Sequence, residues 1–356
     1  MSPGTAHPEG TLRALRNDPV ARRIILAWRR VTTESAPRTL VACSGGGDSV
    51  ALGVALAAAQ PDAVTLAHIV HDMRPIEQAE RDRDFVRALA GRLGIPFLEQ
   101  RITSAPGSTP GSTPGSTPGK IPGNPEAMAR KARYRALADL AREADTPWVA
   151  TGHTADDQFE TIIMSLIRGV GPDGMRAIAR RRRLAPDLRL IRPMLHITRD
   201  EARALLERAG TLWCEDHTNL DTTRLRAALR HAPLAQIESI RPGASRRASY
   251  SADLIHQASL VVRDRVEQVF PKGECSWPRA ALRAERPIVI GAGLRRTALQ
   301  LTQGTGADRL GRKVVAPCIR AIRDDSTEPR RFPWPRDILV MVTTHEVRME
   351  RAEHPD

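Results

Sequence analysis

The stretch that decides the fold is Thr39-Leu-Val-Ala-Cys-Ser-Gly-Gly-Gly-Asp-Ser-Val50. Its apolar first half predicts a buried strand, and the apolar pattern that continues to Ala59 predicts a helix. Between them, glycines let backbone N–H groups approach an anion, and the helix N-terminus adds positive charge. Asp48 would repel a bare phosphate, so the loop predicts a nucleotide site in which a divalent cation lies between carboxylate and phosphates.

The loop differs from two other phosphate-binding loops. A Walker A motif needs a lysine before its Ser or Thr, and the dinucleotide-binding fingerprint needs the spacing G-x-G-x-x-G. An ordinary glycine turn in an α/β domain remains the structural alternative. The strand–loop–helix context of Ser44–Ser49 argues against that alternative.

The rest of the chain predicts an α/β domain over residues 1–235 with a doubly wound parallel sheet. Strands are expected at about 64–70, 95–102 and 147–151, and helices at about 78–93, 124–144 and 155–167. A capping box, Thr198-x-x-Glu201, predicts another helix start. Gly-Ser-Thr-Pro repeats make 104–123 a low-complexity insertion. Residues 236–356 predict a smaller, mainly helical domain with a short hairpin near Ile338–Thr343.

Composition favours an intracellular protein with a polyanionic partner. The net charge is +13 and the pI about 10.8, which suits RNA or DNA contact, although only four of the 54 basic residues are lysines. An arginine bias of this size also arises from genomic base composition. The cysteines Cys43, Cys214, Cys275 and Cys318 form no C-x-x-C pair, so a zinc or iron–sulfur site has no support. No signal or membrane segment is expected, which predicts a cytoplasmic location.

Four segments in order resemble those of the tRNA(Ile)-lysidine synthetases, a family of N-type ATP pyrophosphatases. They are Ser44-Gly-Gly-Gly-Asp-Ser49, His68-Ile-Val-His71-Asp-Met-Arg74, Glu126-Ala-Met-Ala-Arg130-Lys-Ala-Arg133-Tyr134 and Gly152-His153-Thr-Ala-Asp156-Asp157-Gln158-Phe-Glu160-Thr161. Trp213-Cys-Glu215-Asp216-His-Thr-Asn219-Leu-Asp221, followed by Arg226 and Arg230, also matches. The first segment is common to the superfamily, whereas the later ones narrow the resemblance to this family.

The resemblance implies an adenine nucleotide alpha hydrolase-like fold and an ATP-dependent ligase that forms a carbon–nitrogen bond. Such an enzyme adenylates the C2 oxygen of the wobble cytidine of tRNA(Ile) with a CAU anticodon and releases pyrophosphate. L-Lysine then displaces AMP to give lysidine. ATP and Mg²⁺ are therefore the expected cofactors, and tRNA(Ile) and L-lysine the expected partners. A homodimer is compatible with the resemblance, and no membrane partner is expected.

The resemblance also assigns residues to this chemistry. The nucleotide site would comprise Ser44, Gly45, Gly46, Gly47, Asp48, Ser49, His68 and Arg74, with Asp48 as the Mg²⁺ ligand. The catalytic set would be Asp48, His153, Asp157 and Arg226. The residues that contact tRNA would be Arg130, Arg133, Arg168, Arg180, Arg181, Arg182 and Arg230. On physical grounds, Asp157 is suited to hold the lysine amine or accept its proton, and Arg226 to stabilise phosphate or cytidine charge.

Structural alternatives remain for several of these residues. Helix capping is an alternative role for His153 and Asp156, and a weaker one for Asp157. His68 is equally compatible with a hydrogen-bonded core histidine. The arginines at 74, 130 and 133, and the run at 180–183, are also compatible with solvated surfaces.

The chain departs from the family pattern at three positions. Val70 stands where Asp or Asn is usual, Arg224 where an aromatic is common, and Ala227 where the family has Asn. Two other functions also stay open, the first from the superfamily and the second from these departures. One is a different tRNA-modifying enzyme of the thiolase type, and the other is a tRNA-binding relative with reduced catalysis.

Overall fold

A computed structural model describes residues 15–71, 76–102, 125–215, 228–304 and 310–351. The predicted low-complexity insertion lies outside these residues, as do Arg74, Arg224, Arg226 and Ala227. The described residues divide into two compact units. The first extends to Ile167 and includes Ala177–Ala252, and the second comprises Arg168–Arg176 and the residues from Asp253 onward.

The α-helices and strands of the first part of the chain alternate up to residue 167. They are α1 (Pro19–Thr32), β1 (Thr39–Ala42), α2 (Gly47–Ala59), β2 (Val64–His71), α3 (Ile76–Leu93), β3 (Phe97–Ile102), α4 (Pro125–Glu143), β4 (Trp148–Thr151), α5 (Ala155–Ile167), α6 (Pro172–Met175), β5 (Arg181–Arg183), β6 (Arg189–Ile191) and α7 (Arg199–Arg208). The later elements are a π-helical turn (Arg230–Leu234), α8 (Ala235–Ile240), α9 (Ala244–Val269), β7 (Ser276–Pro278), α10 (Arg279–Ala284), α11 (Pro287–Leu301), α12 (Arg312–Arg323), β8 (Arg330–Trp334), β9 (Ile338–Val342) and β10 (Glu346–Arg351).

The first unit is built on a six-stranded sheet of order β3-β2-β1-β4-β6-β5. All neighbouring strands are parallel except β5, which pairs antiparallel to β6 at the edge. β1 lies at the centre, and Val41 is in register with both Leu66 and Ala150. The predicted parallel sheet is therefore confirmed. The antiparallel edge strand is formed by the arginine run, which was predicted to contact tRNA or to form a solvated surface but was not predicted to be a strand.

Helices cover both faces of this sheet because successive strand residues point to opposite sides. Val41 packs in one core with Trp28 of α1 and with helices α2 and α7. Leu40 packs on the opposite face with Leu137 and Ala141 of α4. Helix α2 is buried all round from Ser49 to Ala58, which explains why its apolar residues show no single face. This burial fixes the end of the helix that follows the glycine loop.

The second unit contains a four-stranded antiparallel sheet of order β7-β10-β9-β8. Its core includes Phe270 and Trp277, whose rings lie 4.8 Å apart, together with side chains of α11, α12 and the sheet. The predicted helical character and the hairpin are present, since β8 and β9 pair through a turn at Arg336 and Asp337 with positive φ. The sheet is larger than the expected hairpin, since it also contains β7 and β10, two strands that the sequence analysis did not predict. The role of this region in tRNA recognition, and the domain limit at residue 235, stay predictions.

Within the described residues, no helix combines the length and the apolar character needed to cross a bilayer.

Candidate active site

The glycine loop joins β1 to α2 as predicted. Gly45 has a φ of 91°, a backbone conformation that residues other than glycine rarely adopt. Helix α2 begins two residues later, at Gly47. Ser49 closes the loop, because its hydroxyl accepts a hydrogen bond from the Ser44 backbone N–H at 3.1 Å and donates one to the Gly46 carbonyl at 2.9 Å. The loop thus presents the N-terminus of a buried helix to one side of the sheet, which is the arrangement of an anion site.

A second connection packs directly against this loop. Gly152 follows β4, and a β-carbon built on it would lie 2.9 Å from the carbonyl carbon of Asp48 and 3.0 Å from the backbone nitrogen of Ser49. Only glycine fits so close a backbone approach. This contact brings the start of α5 beside the start of α2, because β1 and β4 are neighbouring parallel strands.

The first turn of α5 carries the predicted polar residues. Asp157 accepts a hydrogen bond from the Thr154 backbone N–H at 2.9 Å, and therefore caps its own helix with one carboxylate oxygen. Asp156 accepts one from the Arg199 backbone N–H at 2.9 Å, and so caps α7. His153 pairs through Nδ1 with the Thr151 hydroxyl at 2.9 Å. Both aspartates therefore cap a helix N-terminus, although the sequence indicated capping less strongly for Asp157 than for Asp156.

The other oxygen of Asp157 belongs to a cluster of carboxylates around one guanidinium. Arg199 lies 2.8 Å from Asp157 Oδ1, 3.2 Å from Glu160 Oε1 and 3.4 Å from Asp48 Oδ2. Arg230 also contacts Glu160, at 2.7 and 3.1 Å to its two oxygens. Glu160 is 1% exposed, so these arginines compensate a carboxylate that is removed from water.

The electrostatics of the cluster reflect its crowding. The pKa of Asp48 is raised to about 6, mainly by burial; Asp157 and Asp156 also raise it, and Arg199 lowers it. Burial also raises the pKa of Asp156. Burial by itself would lower the pKa of Arg199, but Asp157, Glu160 and Asp48 outweigh it and raise that pKa. Among the described residues of this cluster, the four carboxylates outnumber the guanidinium groups of Arg199 and Arg230, which favours added cations.

His68 forms part of the floor beneath the loop. It is 5% exposed, and its Nδ1 lies 2.9 Å from the carbonyl oxygen of Cys43, so Nδ1 carries the proton that it donates. Burial lowers the pKa of His68 and so favours the neutral ring. The hydrogen-bonded core histidine considered in the sequence analysis is therefore what the structure shows. His68 also borders the cleft described next.

Most of the predicted nucleotide-site and catalytic residues that are described line one cleft of about 1290 Å³ in the first unit. They are Ser44, Gly46, Gly47, Asp48, Ser49, His68, His153 and Asp157, and they are joined there by Arg130, Arg133 and Arg230. Gly45 lies behind them, and its carbonyl accepts a hydrogen bond from the Cys214 N–H at 2.9 Å. Arg74 and Arg226 are outside the described residues, so their assignments stay predictions.

The arginines predicted to contact tRNA are distributed more widely. Arg130 and Arg182 both lie over the ring of Tyr134, at 5.2 and 4.4 Å from its centroid. Arg180 contacts the ring of His196, Arg181 is exposed on the edge strand β5, and Arg168 is exposed in the second unit. Arg230 instead pairs with Glu160 inside the cleft.

Sequence reasoning missed Arg199 entirely. One signal was available, because arginine at the first position of a helix faces the positive end of the helix dipole, an unfavourable place for a cation. Such a placement indicates that carboxylates from elsewhere in the fold surround it. Sequence reasoning also did not identify Trp213 as a wall of the site. The ring of Trp213 would lie 3.5 Å from a β-carbon built on Gly47.

Comparison with known proteins first defines the class. Residues 19–237 match the model of the PP-loop domain family, so the chain contains a PP-loop domain. Its fold also resembles that of the U34-tRNA thiolase NcsA from Methanococcus maripaludis, with a TM-score of 0.51, 16% identity and coverage of 67% of this chain and 78% of that one. At this identity the resemblance concerns the fold alone.

Sequence relatives then give the particular family. The chain is 32% identical over 275 residues to the tRNA(Ile)-lysidine synthase of Synechococcus sp., covering 76% of this chain and 78% of the relative. It is 35% identical over 279 residues to that of Thermus thermophilus, covering 77% and 50%, and 31% identical over 326 residues to that of Ralstonia nicotianae, covering 85% and 65%. The chain belongs to the tRNA(Ile)-lysidine synthase family. It spans about half the length of the Thermus relatives that it matches.

Proposed function

We propose that this protein is an ATP-dependent ligase that converts the wobble cytidine of tRNA(Ile) with a CAU anticodon to lysidine. In the first step the cytidine C2 oxygen attacks the α-phosphorus of ATP. The bond between the α-phosphorus and the oxygen that bridges to the β-phosphate breaks, and pyrophosphate leaves. In the second step the ε-amine of L-lysine attacks C2, the bond from C2 to the AMP oxygen breaks, and AMP leaves. Family membership and the geometry of the cleft support this proposal.

The loop Ser44–Ser49 is suited to hold the pyrophosphate portion of ATP. The N-terminus of α2 and the backbone N–H groups of the glycines favour negative charge there. They would stabilise the charge that develops on the departing pyrophosphate.

The donor groups beside the loop fit a magnesium ion. The described residues contain no group of three or more His, Cys, Asp or Glu that would hold a metal by themselves. Magnesium is commonly bound by one or two carboxylates together with substrate phosphates, and Asp48 lies at the loop with a surplus of negative charge around it. Mg²⁺ held there by Asp48 would neutralise phosphate charge.

The acidic residues of α5 are suited to the amine. Asp157 is 13% exposed and Glu160 1% exposed, and both already hold a guanidinium, so their oxygens are arranged to accept hydrogen bonds from a cation. We assign Asp157 to hold the lysine ammonium group and to take up its proton as the amine attacks. His153, whose backbone precedes α5, borders the same cleft and remains our candidate for a second polar contact.

The arginines would serve two purposes. Arg226 remains our candidate for stabilising charge at the α-phosphate or at the cytidine oxygen. Arg130 and Arg133 border the cleft where RNA must enter, and Arg181 extends from the edge of the sheet. Backbone contacts of this kind position RNA and make its binding dependent on salt.

One observation carries the proposal. A single guanidinium, that of Arg199, contacts Asp48 beside the phosphate-binding loop as well as Asp157 and Glu160 of the amine site. The groups that would hold the nucleotide and the amine thus lie within the span of one side chain. An enzyme that adenylates an oxygen and then replaces it with an amine needs this proximity.

The test is mass spectrometry of the wobble nucleoside after incubation with ATP, L-lysine and the tRNA. Lysidine should form, AMP should appear only when both L-lysine and the tRNA are present, and without L-lysine the tRNA should support at most one release of pyrophosphate per enzyme. Asp48→Ala should abolish the formation of lysidine, AMP and pyrophosphate. Full release of AMP without tRNA would contradict the proposal. Tight tRNA binding with no ATP turnover would instead identify a relative that retains only RNA binding.

A further inference from the structure

Arg199 is placed by backbone contacts as well as by its side chain. It is the first residue of α7, and its N–H is held by Asp156 while the capping box of Thr198 and Glu201 closes the same turn. The guanidinium can therefore change partners while its main chain stays fixed. Its side chain is 20% exposed and borders the cleft, so a ligand can reach it.

The contacts of Arg199 coincide with those of the proposed amine site. Its Nη2 donates to Asp157 Oδ1 at 2.8 Å, and its Nη1 donates to Glu160 Oε1 at 3.2 Å. A guanidinium and an alkylammonium are both hydrogen-bond donors of charge +1, and they compete for the same carboxylate oxygens. The position next to Asp157 holds one of them at a time.

Removing this guanidinium has a defined electrostatic effect. Among the described residues, Asp48, Asp157 and Glu160 contact the Arg199 guanidinium, Glu160 also contacts that of Arg230, and Asp156 accepts a hydrogen bond from the Arg199 backbone N–H. Loss of the Arg199 guanidinium therefore removes positive charge from three carboxylates at once. Buried carboxylates without counter-charge are costly, and an added cation relieves that cost. The free protein thus needs an occupant at this position before any substrate is bound.

We propose that Arg199 is the built-in occupant of a single cation site at Asp157 and Glu160, and that the ε-ammonium group of the amine substrate displaces it. The identity of that amine rests on the proposed function. On displacement, Arg199 keeps its contact with Asp48 on the nucleotide side. The apparent affinity for the amine is then the intrinsic affinity multiplied by the fraction of molecules in which Arg199 has left the site.

Chemical rescue tests the site without reference to lysine. In Arg199→Ala, millimolar methylguanidinium should refill the position and raise the melting temperature by a few degrees, because a ligand that binds only the folded state stabilises it. Wild type and Arg199→Lys should respond much less, since the added cation must first displace a side chain of the protein. Arg203→Ala is the matched control, because Arg203 is exposed on the same helix and its removal changes the charge equally. Equal responses of the two alanine variants would overturn the proposal.

Calorimetric titration with L-lysine tests the displacement. Arg199→Ala should bind L-lysine about tenfold more tightly than wild type, because no resident cation must leave. Arg203→Ala should match wild type. Weaker binding by Arg199→Ala, or no binding despite methylguanidinium rescue, would overturn displacement by lysine. Failure of the proposed function is a separate result: wild type would form no AMP with ATP, L-lysine and tRNA, whatever methylguanidinium does.

Discussion

Gly152 lies in direct contact with the peptide that joins Asp48 to Ser49, so that a β-carbon on it would approach the Asp48 carbonyl oxygen to 2.9 Å. The end of β4 and the start of α2 are therefore fitted to each other through backbone atoms alone. Backbone atoms held in two elements cannot turn aside as a flexible side chain can. The spacing between the phosphate-binding loop and the polar residues of α5 depends on this contact.

Gly152→Ala should separate the loop from α5. The substitution should lower the free energy of unfolding by about 1 to 3 kcal/mol through overpacking, and it should weaken ATP binding at the same time. Urea unfolding and nucleotide titration measure the two effects. Gly91→Ala is the control, since Gly91 lies in α3 with nothing within 4 Å of its would-be β-carbon and alanine favours helix. Equal stability of the two variants would contradict this account of the contact.

Asp48→Asn should change how stability depends on pH. The pKa of Asp48 is raised from 3.8 to about 6, so the folded state binds this proton more tightly than the unfolded state. Its ionisation costs stability as pH rises from 3.8 to about 6; the cost is absent below this window and fully present above it. Discounting for partial exposure, the Asn variant should exceed wild type by about 1 kcal/mol at neutral pH. Urea midpoints across this range measure the difference, and a constant difference would count against the raised pKa.

Glu160→Gln should destabilise the fold more than the loss of an exposed acid. Glu160 is 1% exposed and accepts hydrogen bonds from both Arg199 and Arg230, so the substitution replaces charge-assisted contacts of a buried group with weaker neutral ones. The expected loss is about 2 kcal/mol, because hydrogen bonds to charged groups contribute more than neutral ones. Asp187→Asn provides the comparison: Asp187 and Arg142 are both about half exposed, and the loss there should be smaller because water screens the pair. Similar losses of stability in the two variants would show that burial of Glu160 does not strengthen its contribution to the stability of the fold.

The double variant Arg181→Gln/Arg183→Gln should bind tRNA more weakly. Both side chains are exposed on the edge strand β5, and each phosphate contact that is lost should reduce the salt dependence of binding by about one unit of slope. Titrations at several salt concentrations measure that slope. Arg92→Gln removes a charge from the exposed end of α3 and serves as the control for net charge. An unchanged slope in the double variant would remove β5 from the tRNA contact surface.

The sequence predicted the parallel sheet and the loop well, because both depend on local signals. The apolar run before Ser44, the glycines after it and the capping box at Thr198 each specify a backbone conformation over a few residues. These elements appear in the structure within a few residues of their predicted positions.

The partners of Arg199 and Arg230 could not be predicted in the same way. Arg199 meets residues that are 39, 42 and 151 positions away along the chain, and Arg230 meets Glu160 across 70 positions. No periodicity links such residues, since the contacts arise only when α7 and the π-helical turn are docked beside α5. The family resemblance named the acidic residues but said nothing about which cation holds them.

The antiparallel edge strand β5 has a consequence for self-association. An edge strand exposes unpaired N–H and C=O groups, which form a template on which a second copy of the chain could extend the sheet. Arg181, Arg182 and Arg183 occupy this edge, and like charges on an incoming identical strand would repel it. A polyanion bound along β5 would cancel that repulsion while covering the edge itself. The arginine run therefore protects the sheet from growing into aggregates whenever no polyanion covers it.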